Sequence, residues 1–285
     1  MKFCRFNDDR LGVVEGDWVA DVSNALDVLP TSRWPLPAGD PFIAHLGVVR
    51  EAVKDLLPHA ERLPLGTLAL QSPVPNPSKI IGAPVNYRTH VVEAESTEAI
   101  HHGMAIKPIE KAGLFLKANS SLCGPSSKLR VRFPERRTDH EAELVVVIGR
   151  AANKVTADHA FDYVAGYSMG LDMTVRGTED RSFRKSVDTY AVLGPWLVTA
   201  DEILNAGQLD FDLRVNGLLR QQSNTRQLIF GIPKLVEWAS SFYTLNPGDL
   251  IYTGTPEGVG PIEPGDHIEM TMQGIGSLVV DVIAN

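Results

Sequence analysis

The 285-residue sequence has only two cysteines, Cys4 and Cys123. Two cysteines are too few for a disulfide framework, and their spacing suits neither a zinc site nor a redox motif. The sequence also lacks an uninterrupted apolar run of about 18 residues, so it predicts no membrane-spanning helix. Charged residues interrupt the apolar stretches of the N-terminus, which reads MKFCRFNDDR. We therefore expect a cytoplasmic protein in a reducing compartment.

Basic residues are too few to form a surface for nucleic acid or anionic lipid. The chain has 27 Lys and Arg against 35 Asp and Glu, a formal net charge of −8 at pH 7, whereas such partners need clustered Lys and Arg. We expect no nucleic-acid and no membrane partner. A small anionic substrate is compatible with this charge, because local basic side chains or a bound cation can reverse the potential inside a pocket.

The composition is that of a compact globular protein, with 44% hydrophobic and 22% charged residues. Residues 2–22 alternate short apolar runs with turn residues, which predicts a small hairpin or meander. Residues 42–63 carry apolar side chains at roughly helical spacing. Pro73, Pro75 and Pro77 favour an extended linker over residues 71–79. We predict a small N-terminal α/β domain over residues 1–70 and a larger domain over residues 71–285.

The larger domain is predicted to be dominated by strands. Its apolar segments are short and bounded by Gly, Pro, Asn or Asp, as at residues 144–149, 163–171, 196–199, 250–255, 267–272 and 278–283. One helix is predicted to begin near Pro233, whose fixed φ suits a first helical turn, and to continue through Phe242. The turn residues of Asn246-Pro247-Gly248-Asp249 then end it.

Two carboxylates precede the most apolar of these segments. Glu141 and Glu143 lie at the start of a predicted strand, and the period of two places both side chains on one face. Two carboxylates this close repel each other unless a positive charge lies between them, and a hard cation with oxygen ligands would supply it. The alternative is a solvated strand edge on which Glu141 and Glu143 pair with Arg136 and Arg137.

A third carboxylate, Asp172, ends the predicted strand over residues 166–171. An acid in this position can be a functional group exposed at the end of a sheet, and it can equally cap the next turn. Three carboxylates with open coordination positions would suit Mg²⁺ or Mn²⁺, because both ions prefer oxygen ligands.

The order of short motifs resembles the fumarylacetoacetate hydrolase family from about residue 79 to residue 283. The matching segments are Lys79-Ile80-Ile81-Gly82, Asn86-Tyr87-Arg88-Thr89-His90, Phe115-Leu116-Lys117, Glu141 and Glu143, Tyr163-Val164-Ala165-Gly166-Tyr167, Asp172-Met173-Thr174-Val175-Arg176, Lys185-Ser186, Leu193-Gly194-Pro195-Trp196, Thr253-Gly254-Thr255-Pro256, Gly258-Val259-Gly260 and Pro264-Gly265-Asp266. Each motif is weak alone, and their common order carries the resemblance.

The resemblance implies a role for each of nine residues. It implies that Glu141, Glu143 and Asp172 bind one Mg²⁺ or Mn²⁺. His90 and Glu93 match a dyad that activates water, and Lys185 matches a lysine that faces the developing negative charge. Arg176 and Thr255 match positions that orient the carboxylate or oxo groups of the substrate, and Glu179 stands about where a substrate-contacting glutamine is usual.

Several of these residues also have a purely structural interpretation. A histidine such as His90 is more often a surface or packed residue than a catalytic base. Lys185 could belong to a solvated basic run that begins at Arg181. The segment from Thr253 to Gly258 could be only a tight turn.

The sequence departs from the family pattern around two of its motifs. A carboxylate at Glu179 would disfavour a nearby anionic group, which leaves the identity of the substrate open. The segment between Glu93 and Leu116 is longer than usual and contains His101 and His102. We predict that residues 93–114 form a mobile lid without regular structure through residues 104–111, which closes over bound substrate.

The resemblance implies a strand-dominated α+β fold, a β-roll or flattened barrel, in a protein that forms homodimers. The implied activity is metal-dependent hydrolysis of a C–C bond in a 2,4-dioxo acid, with a small anionic 2-oxo acid as product. Two alternatives stay open, a decarboxylase or isomerase that uses the same metal site and a non-catalytic protein that binds small acids.

Overall fold

The computed structural model describes all 285 residues and contains 20 strands. The strands are β1 Lys2–Phe6, β2 Arg10–Glu15, β3 Trp18–Asp21, β4 Arg62–Pro64, β5 Leu70–Gln71, β6 Ile80–Gly82, β7 Phe115–Lys117, β8 Leu122–Cys123, β9 Leu129–Val131, β10 Thr138–His140, β11 Ala142–Ile148, β12 Val164–Asp172, β13 Thr174–Val175, β14 Ala191–Thr199, β15 Asp210–Val215, β16 Leu218–Asn224, β17 Leu250–Tyr252, β18 Gly260–Pro261, β19 His267–Met272 and β20 Gly276–Ala284.

Seven short α-helices lie between these strands. They are α1 Pro41–Ala44, α2 Leu46–Leu56, α3 Arg88–Ser96, α4 Glu98–His101, α5 Ile109–Ala112, α6 Arg181–Lys185 and α7 Ile232–Phe242. None of them combines the length and the apolar character that crossing a lipid bilayer would require.

The N-terminal residues form the predicted meander. Strands β1, β2 and β3 pair antiparallel in sequence order, and β4 adds to β3. Helix α1 begins where the side chain of Asp40 accepts a hydrogen bond from the backbone N–H of Ile43 (3.1 Å) and Pro41 starts the first turn. Val49 and Val53 of α2 are buried on one helix face. β1 also pairs with β14, so this region shares a sheet with the rest of the chain, and the domain division at residue 70 stays a prediction.

A 12-stranded sheet forms the centre of the molecule. Its main path runs β4-β3-β2-β1-β14-β12-β11-β17-β6-β7, with β5 paired to β1 and β8 paired to β14. Every residue of β11 is buried, and successive side chains enter two different cores. Leu144 and Val146 pack in the larger core, whereas Val145 and Val147 pack in the smaller one. The apolar run is therefore a central strand with both faces covered.

Two smaller sheets complete the fold. One has the order β13-β10-β18 and the other β16-β15-β19-β20-β9. No sheet closes into a barrel, so the architecture is the flattened, strand-dominated roll that the sequence predicts. Helix α7 is also confirmed, since it includes Pro233 in its first turn and ends at Phe242, ahead of a turn in which Gly248 has a φ of 85°.

The sheets bring the three carboxylates together. Glu141 is the single residue between β10 and β11, and Glu143 is the second residue of β11. Asp172 is the last residue of β12, which runs antiparallel to β11, and its backbone N–H donates to the carbonyl of Glu141 (2.9 Å). The pairing of β10 with β13 places the segment that leads to Arg176 beside the same cluster.

Candidate active site

A cavity of about 670 Å³ opens at the end of β12 and receives most of the predicted site residues. The residues of the predicted site that line it are His90, Glu141, Glu143, Asp172, Arg176, Glu179, Lys185 and Thr255. Glu93, the ninth, reaches the cavity through its hydrogen bond to His90. The structure thus gathers residues from four separate parts of the chain, and the individual roles of these residues stay predictions.

The three carboxylates form a compact cluster. One oxygen each from Glu141, Glu143 and Asp172 lies within 4.8 Å of the other two, and the three side chains are buried. Neither Arg136 nor Arg137 pairs with Glu141 or Glu143, so the interpretation as a solvated strand edge is wrong. Arg137 bonds to Asp139 instead, with its Nε 2.6 Å from Oδ1 of that residue.

Basic side chains already contact two of the three carboxylates. Nζ of Lys185 lies 2.6 Å from Oε2 of Glu141 and 2.6 Å from Oδ2 of Asp172. Nη2 of Arg176 lies 3.1 Å from Oε1 of Glu141, while Lys117 donates to Oδ1 of Asp172 and to the carbonyl of Tyr190. Basic side chains thus already supply positive charge beside Glu141 and Asp172, which the sequence led us to expect from a bound cation.

Glu143 is the exception, because it forms no ion pair. Its Oε2 accepts a hydrogen bond from the backbone N–H of Gly254 (2.7 Å). Burial, together with the neighbouring charge of Asp172, raises the pKa of the Glu143 carboxyl well above its ordinary value. Burial would also raise the pKa of Glu141, but Lys185 and Arg176 outweigh it and hold that pKa well below its ordinary value. Burying a charged carboxylate without a positive partner costs free energy, because the charge loses its hydration.

The donor set fits a divalent cation with oxygen ligands. Three carboxylate oxygens at mutual ligand spacing are the donors that Mg²⁺ and Mn²⁺ prefer, and a cation beside them would supply the positive charge that Glu143 lacks.

His90 and Glu93 form a hydrogen-bonded pair on α3. The two residues are three positions apart and so lie on one helix face, and Nδ1 of His90 is 2.8 Å from Oε2 of Glu93. The other oxygen of Glu93 accepts from the backbone N–H of Gly258 (2.9 Å). Because Nδ1 is engaged by Glu93, Nε2 is the ring nitrogen free to exchange a proton.

The turn after β17 is held against the cluster by Gln221, a residue that sequence reasoning did not single out. Its Oε1 accepts from the backbone N–H of Ala142 (3.0 Å), and its Nε2 donates to Oγ1 of Thr255 (2.8 Å). Gly258 completes the turn with a φ of 90°, and a Cβ there would lie 2.0 Å from the carbonyl of Arg220. The hydrogen bond from Gln221 and the close packing at Gly258 therefore hold Thr255 at the cavity.

Lys117, Asp139 and Gln221 are contacts of the site that the sequence did not assign. Lys117 lies in a matching motif, which was the only signal available for it. Asp139 accepts from Nε of Arg176 (2.7 Å) and so orients the guanidinium toward Glu141. Gln221 lies in a polar strand where nothing local distinguishes it from Gln222, which is exposed.

Glu179 does not present an isolated negative charge. Arg136 binds it through two parallel hydrogen bonds of 3.0 and 2.8 Å, which lower the pKa of the Glu179 carboxyl. The expectation that Glu179 disfavours a nearby anionic group therefore needs correction, because its charge is compensated by a bidentate pair.

The predicted lid covers one side of the cavity. Met104, Ile106 and Lys107 line the cavity within residues 93–114. The segment has more regular structure than expected, since α4 precedes the loop and α5 begins at Ile109. The side chain of Ile109 is fully buried and so anchors the C-terminal end of the loop.

The exposed loop of this lid is expected to be the first site of cleavage in limited proteolysis. Residues 102–105 and 107–108 are exposed, and few buried contacts hold them. Oxalate with Mg²⁺ should slow the cleavage, because a ligand in the cavity would contact the lid residues that line it. The check is the rate at which a fragment ending within residues 102–107 appears with a protease of broad specificity such as proteinase K, because Pro108 follows Lys107 and blocks trypsin. A rate unchanged by oxalate with Mg²⁺ would contradict closure of the lid.

The chain is similar to known proteins over most of its length. Residues 79–283 match the model of the family described as fumarylacetoacetate (FAA) hydrolase, C-terminal. The chain is 52% identical over 284 residues to a maleylpyruvate hydrolase of Aquipseudomonas alcaligenes, covering 99% of both chains. It is 35% identical over 230 residues to a mitochondrial oxaloacetate tautomerase of Xenopus laevis, covering 76% of this chain and 69% of that one.

A solved structure has the same fold over its whole length. It is the maleylpyruvate hydrolase of Sphingobium sp. SYK-6 in complex with manganese(II) ion and pyruvate, which is 40% identical and superposes with a TM-score of 0.84 over 100% of both chains.

Proposed function

The chain belongs to the fumarylacetoacetate hydrolase family, and from this membership and the geometry of the cavity we propose that it hydrolyses maleylpyruvate or a similar acylpyruvate. The activity is metal-dependent cleavage of a C–C bond in a 2,4-dioxo acid, which yields pyruvate or a related 2-oxo acid and a second carboxylic acid. One observation carries the proposal, namely that the three-carboxylate cluster and the His90–Glu93 pair reach one cavity.

Glu141, Glu143 and Asp172 would hold the cation, which we propose to be Mg²⁺ or Mn²⁺. A divalent cation at this position would polarise the 2-oxo acid end of the substrate and stabilise the negative charge that forms there. The manganese(II) ion in the Sphingobium protein supports this proposal.

We assign the activation of water to His90 and Glu93. Nε2 of His90 would take a proton from water while Glu93 holds the ring through Nδ1 and stabilises its positive charge. The water oxygen forms a bond to carbon 4 of the substrate, and the bond between carbons 3 and 4 breaks. The electron pair of that bond passes to carbon 3 and is shared with the 2-oxo group. A proton delivered to carbon 3 then completes the 2-oxo acid, so that one water molecule is consumed per bond broken.

Lys185 is placed to stabilise negative charge on the substrate. Its ammonium lies between Glu141 and Asp172 at the edge of the cavity, and it can donate a third hydrogen bond toward an oxyanion. The guanidinium of Arg176 already bonds to Asp139 and Glu141, so contact with the substrate is not its only role. We therefore propose that Arg176 orients the Glu141 carboxylate as well as the substrate.

We further propose that the protein is a cytoplasmic homodimer. Both cysteines are buried and unpaired, as a reducing compartment allows. The homodimer follows from the resemblance to the family, and sedimentation of the purified protein tests it.

The proposal is tested with a panel of acylpyruvates, fumarylpyruvate, maleylpyruvate and oxaloacetate in the presence of Mg²⁺ or Mn²⁺. We expect turnover of 2,4-dioxo acids on the order of 10 s⁻¹. In ¹⁸O-labelled water, mass spectrometry should find one labelled oxygen in the second carboxylic acid, because hydrolysis transfers the water oxygen to carbon 4. Failure to hydrolyse any acylpyruvate would contradict the proposal.

The similarity to an oxaloacetate tautomerase supports one alternative, an isomerase or decarboxylase that uses the same cluster. Such a reaction needs no attacking water, so the carboxylate groups of its product would contain no label from ¹⁸O water, although the 2-oxo group exchanges its oxygen with water through its hydrate. The hydrogen-bonded His90–Glu93 pair favours hydrolysis over this alternative.

A further inference from the structure

The basic side chains of the cavity differ in whether they already have a partner. Arg176 bonds to Asp139 and Glu141, and Lys185 bonds to Glu141 and Asp172. Arg184 donates to the backbone carbonyls of Val175 (3.0 Å) and Glu179 (2.8 Å). The half-buried Arg181 lines the same cavity and forms no hydrogen bond and no ion pair.

Arg181 and Lys185 lie on one face of α6. They are four residues apart, which separates their Cα atoms by about 6 Å along the helix axis. Lys185 reaches the carboxylate cluster, so Arg181 lies farther along the cavity, toward the N-terminal end of α6. Asp180 precedes Arg181, but its Oδ1 accepts from the backbone N–H of Ser182 (2.8 Å) and forms no ion pair with the guanidinium.

The charges of the residues that line the cavity favour a substrate with two carboxylates. Five acidic residues line the cavity, namely Glu141, Glu143, Asp172, Glu179 and Asp180, and five basic ones, namely Lys107, Arg176, Arg181, Arg184 and Lys185. A divalent cation would add two positive charges to this balanced set, and a dianionic substrate would compensate them.

We propose that Arg181 binds the second carboxylate of the substrate, the one remote from the 2-oxo acid end, and thereby selects dicarboxylic acylpyruvates over monocarboxylic ones. The proposal rests on the proposed function. A guanidinium presents two parallel N–H groups that match the two oxygens of a carboxylate. A seven-carbon acylpyruvate with a carboxylate at each end extends about 7 Å, which is comparable to the spacing between Lys185 and Arg181 on α6.

The test compares fumarylpyruvate, which has a second carboxylate, with acetylpyruvate, which has none. In the Mn²⁺-loaded protein, Arg181→Met should raise KM for fumarylpyruvate about 30-fold, because one charge-assisted pair is lost. Its kcat/KM for acetylpyruvate should stay within about twofold of the parent value. Arg181→Lys should keep part of the preference for fumarylpyruvate over acetylpyruvate, because lysine retains the positive charge but lacks the two parallel N–H groups of the guanidinium. The exposed Arg226→Met serves as the control for loss of an arginine.

Two results would overturn the assignment. If Arg181→Met lowered kcat/KM for both substrates equally, Arg181 would have a structural role. If Arg181→Met kept the selectivity and Lys107→Met lost it, the second carboxylate would bind at the lid.

A binding measurement separates this proposal from the proposed function. Maleate is titrated into protein saturated with Mn²⁺ and pyruvate, which requires no turnover. Arg181→Met should bind maleate about 30-fold more weakly than the parent protein. Equal affinity would overturn the role of Arg181, whereas absence of hydrolysis with an intact maleate effect would overturn only the proposed reaction.

Discussion

The His90→Ala protein is expected to hydrolyse acylpyruvates about 10²- to 10⁴-fold more slowly than the parent protein. It should still exchange the C3 protons of pyruvate, or decarboxylate oxaloacetate, in a Mg²⁺-dependent way. The reason is that proton removal from water is assigned to His90, whereas the negative charge on the 2-oxo acid is stabilised at the carboxylate cluster. Steady-state kinetics measure the hydrolysis, and proton NMR in D₂O measures the exchange after the metal-only background is subtracted.

Asp172→Asn is the control for this separation. It removes a carboxylate of the cluster and should therefore lose hydrolysis and exchange together. Full hydrolytic turnover of His90→Ala would show that another group removes the proton. His101 lines the cavity and is the first residue to test in that case, because His102 is exposed and Glu179 is held by Arg136.

Local pattern predicted the elements of the fold but not their arrangement. The run over residues 144–149 reads as a buried strand from its composition, and the structure confirms it as β11. The sequence does not reveal that alternate residues of β11 enter two cores, because both faces are equally apolar. It also does not reveal that β1 pairs with β14, since Lys2 and Val198 meet through tertiary packing across almost 200 positions.

The site was predictable where its residues lie in one motif. His90 and Glu93 are three positions apart on α3, so their spacing alone places them on one face. The contacts of Lys117 and Gln221 were not predictable, because each meets the cluster through a side-chain hydrogen bond to a segment that is distant in the sequence. The compensation of Glu179 by Arg136 is of the same kind, since 43 positions separate the two residues.

Glu143→Gln is expected to weaken Mn²⁺ binding by about 100-fold or more and to abolish metal-dependent hydrolysis. Glu141 and Asp172 already bond to basic side chains, so Glu143 is the carboxylate whose charge only the cation would balance. Glutamine preserves the shape and can still accept the hydrogen bond from Gly254, so the change mainly removes the charge. Calorimetric titration with Mn²⁺ measures the loss, and an affinity equal to that of the parent protein would remove Glu143 from the metal ligands.

Glu143→Gln, which should weaken metal binding, should not lower the thermal stability of the metal-free protein. Removing a buried carboxylate that lacks a positive partner relieves a desolvation cost, so Glu143→Gln in EDTA should unfold at the parent temperature or above it. The matched variant Glu141→Gln should unfold at a lower temperature, because it leaves Arg176 and Lys185 with one negative partner fewer in a buried site.

With Mn²⁺ at about 100 times its Kd, the parent protein should gain about 2.7 kcal/mol of stability, and both variants should lose most of that gain. Thermal unfolding with EDTA and with Mn²⁺ therefore distinguishes loss of the cation from loss of the fold. Equal destabilisation of the two metal-free variants would show that Glu143 has a basic partner in solution.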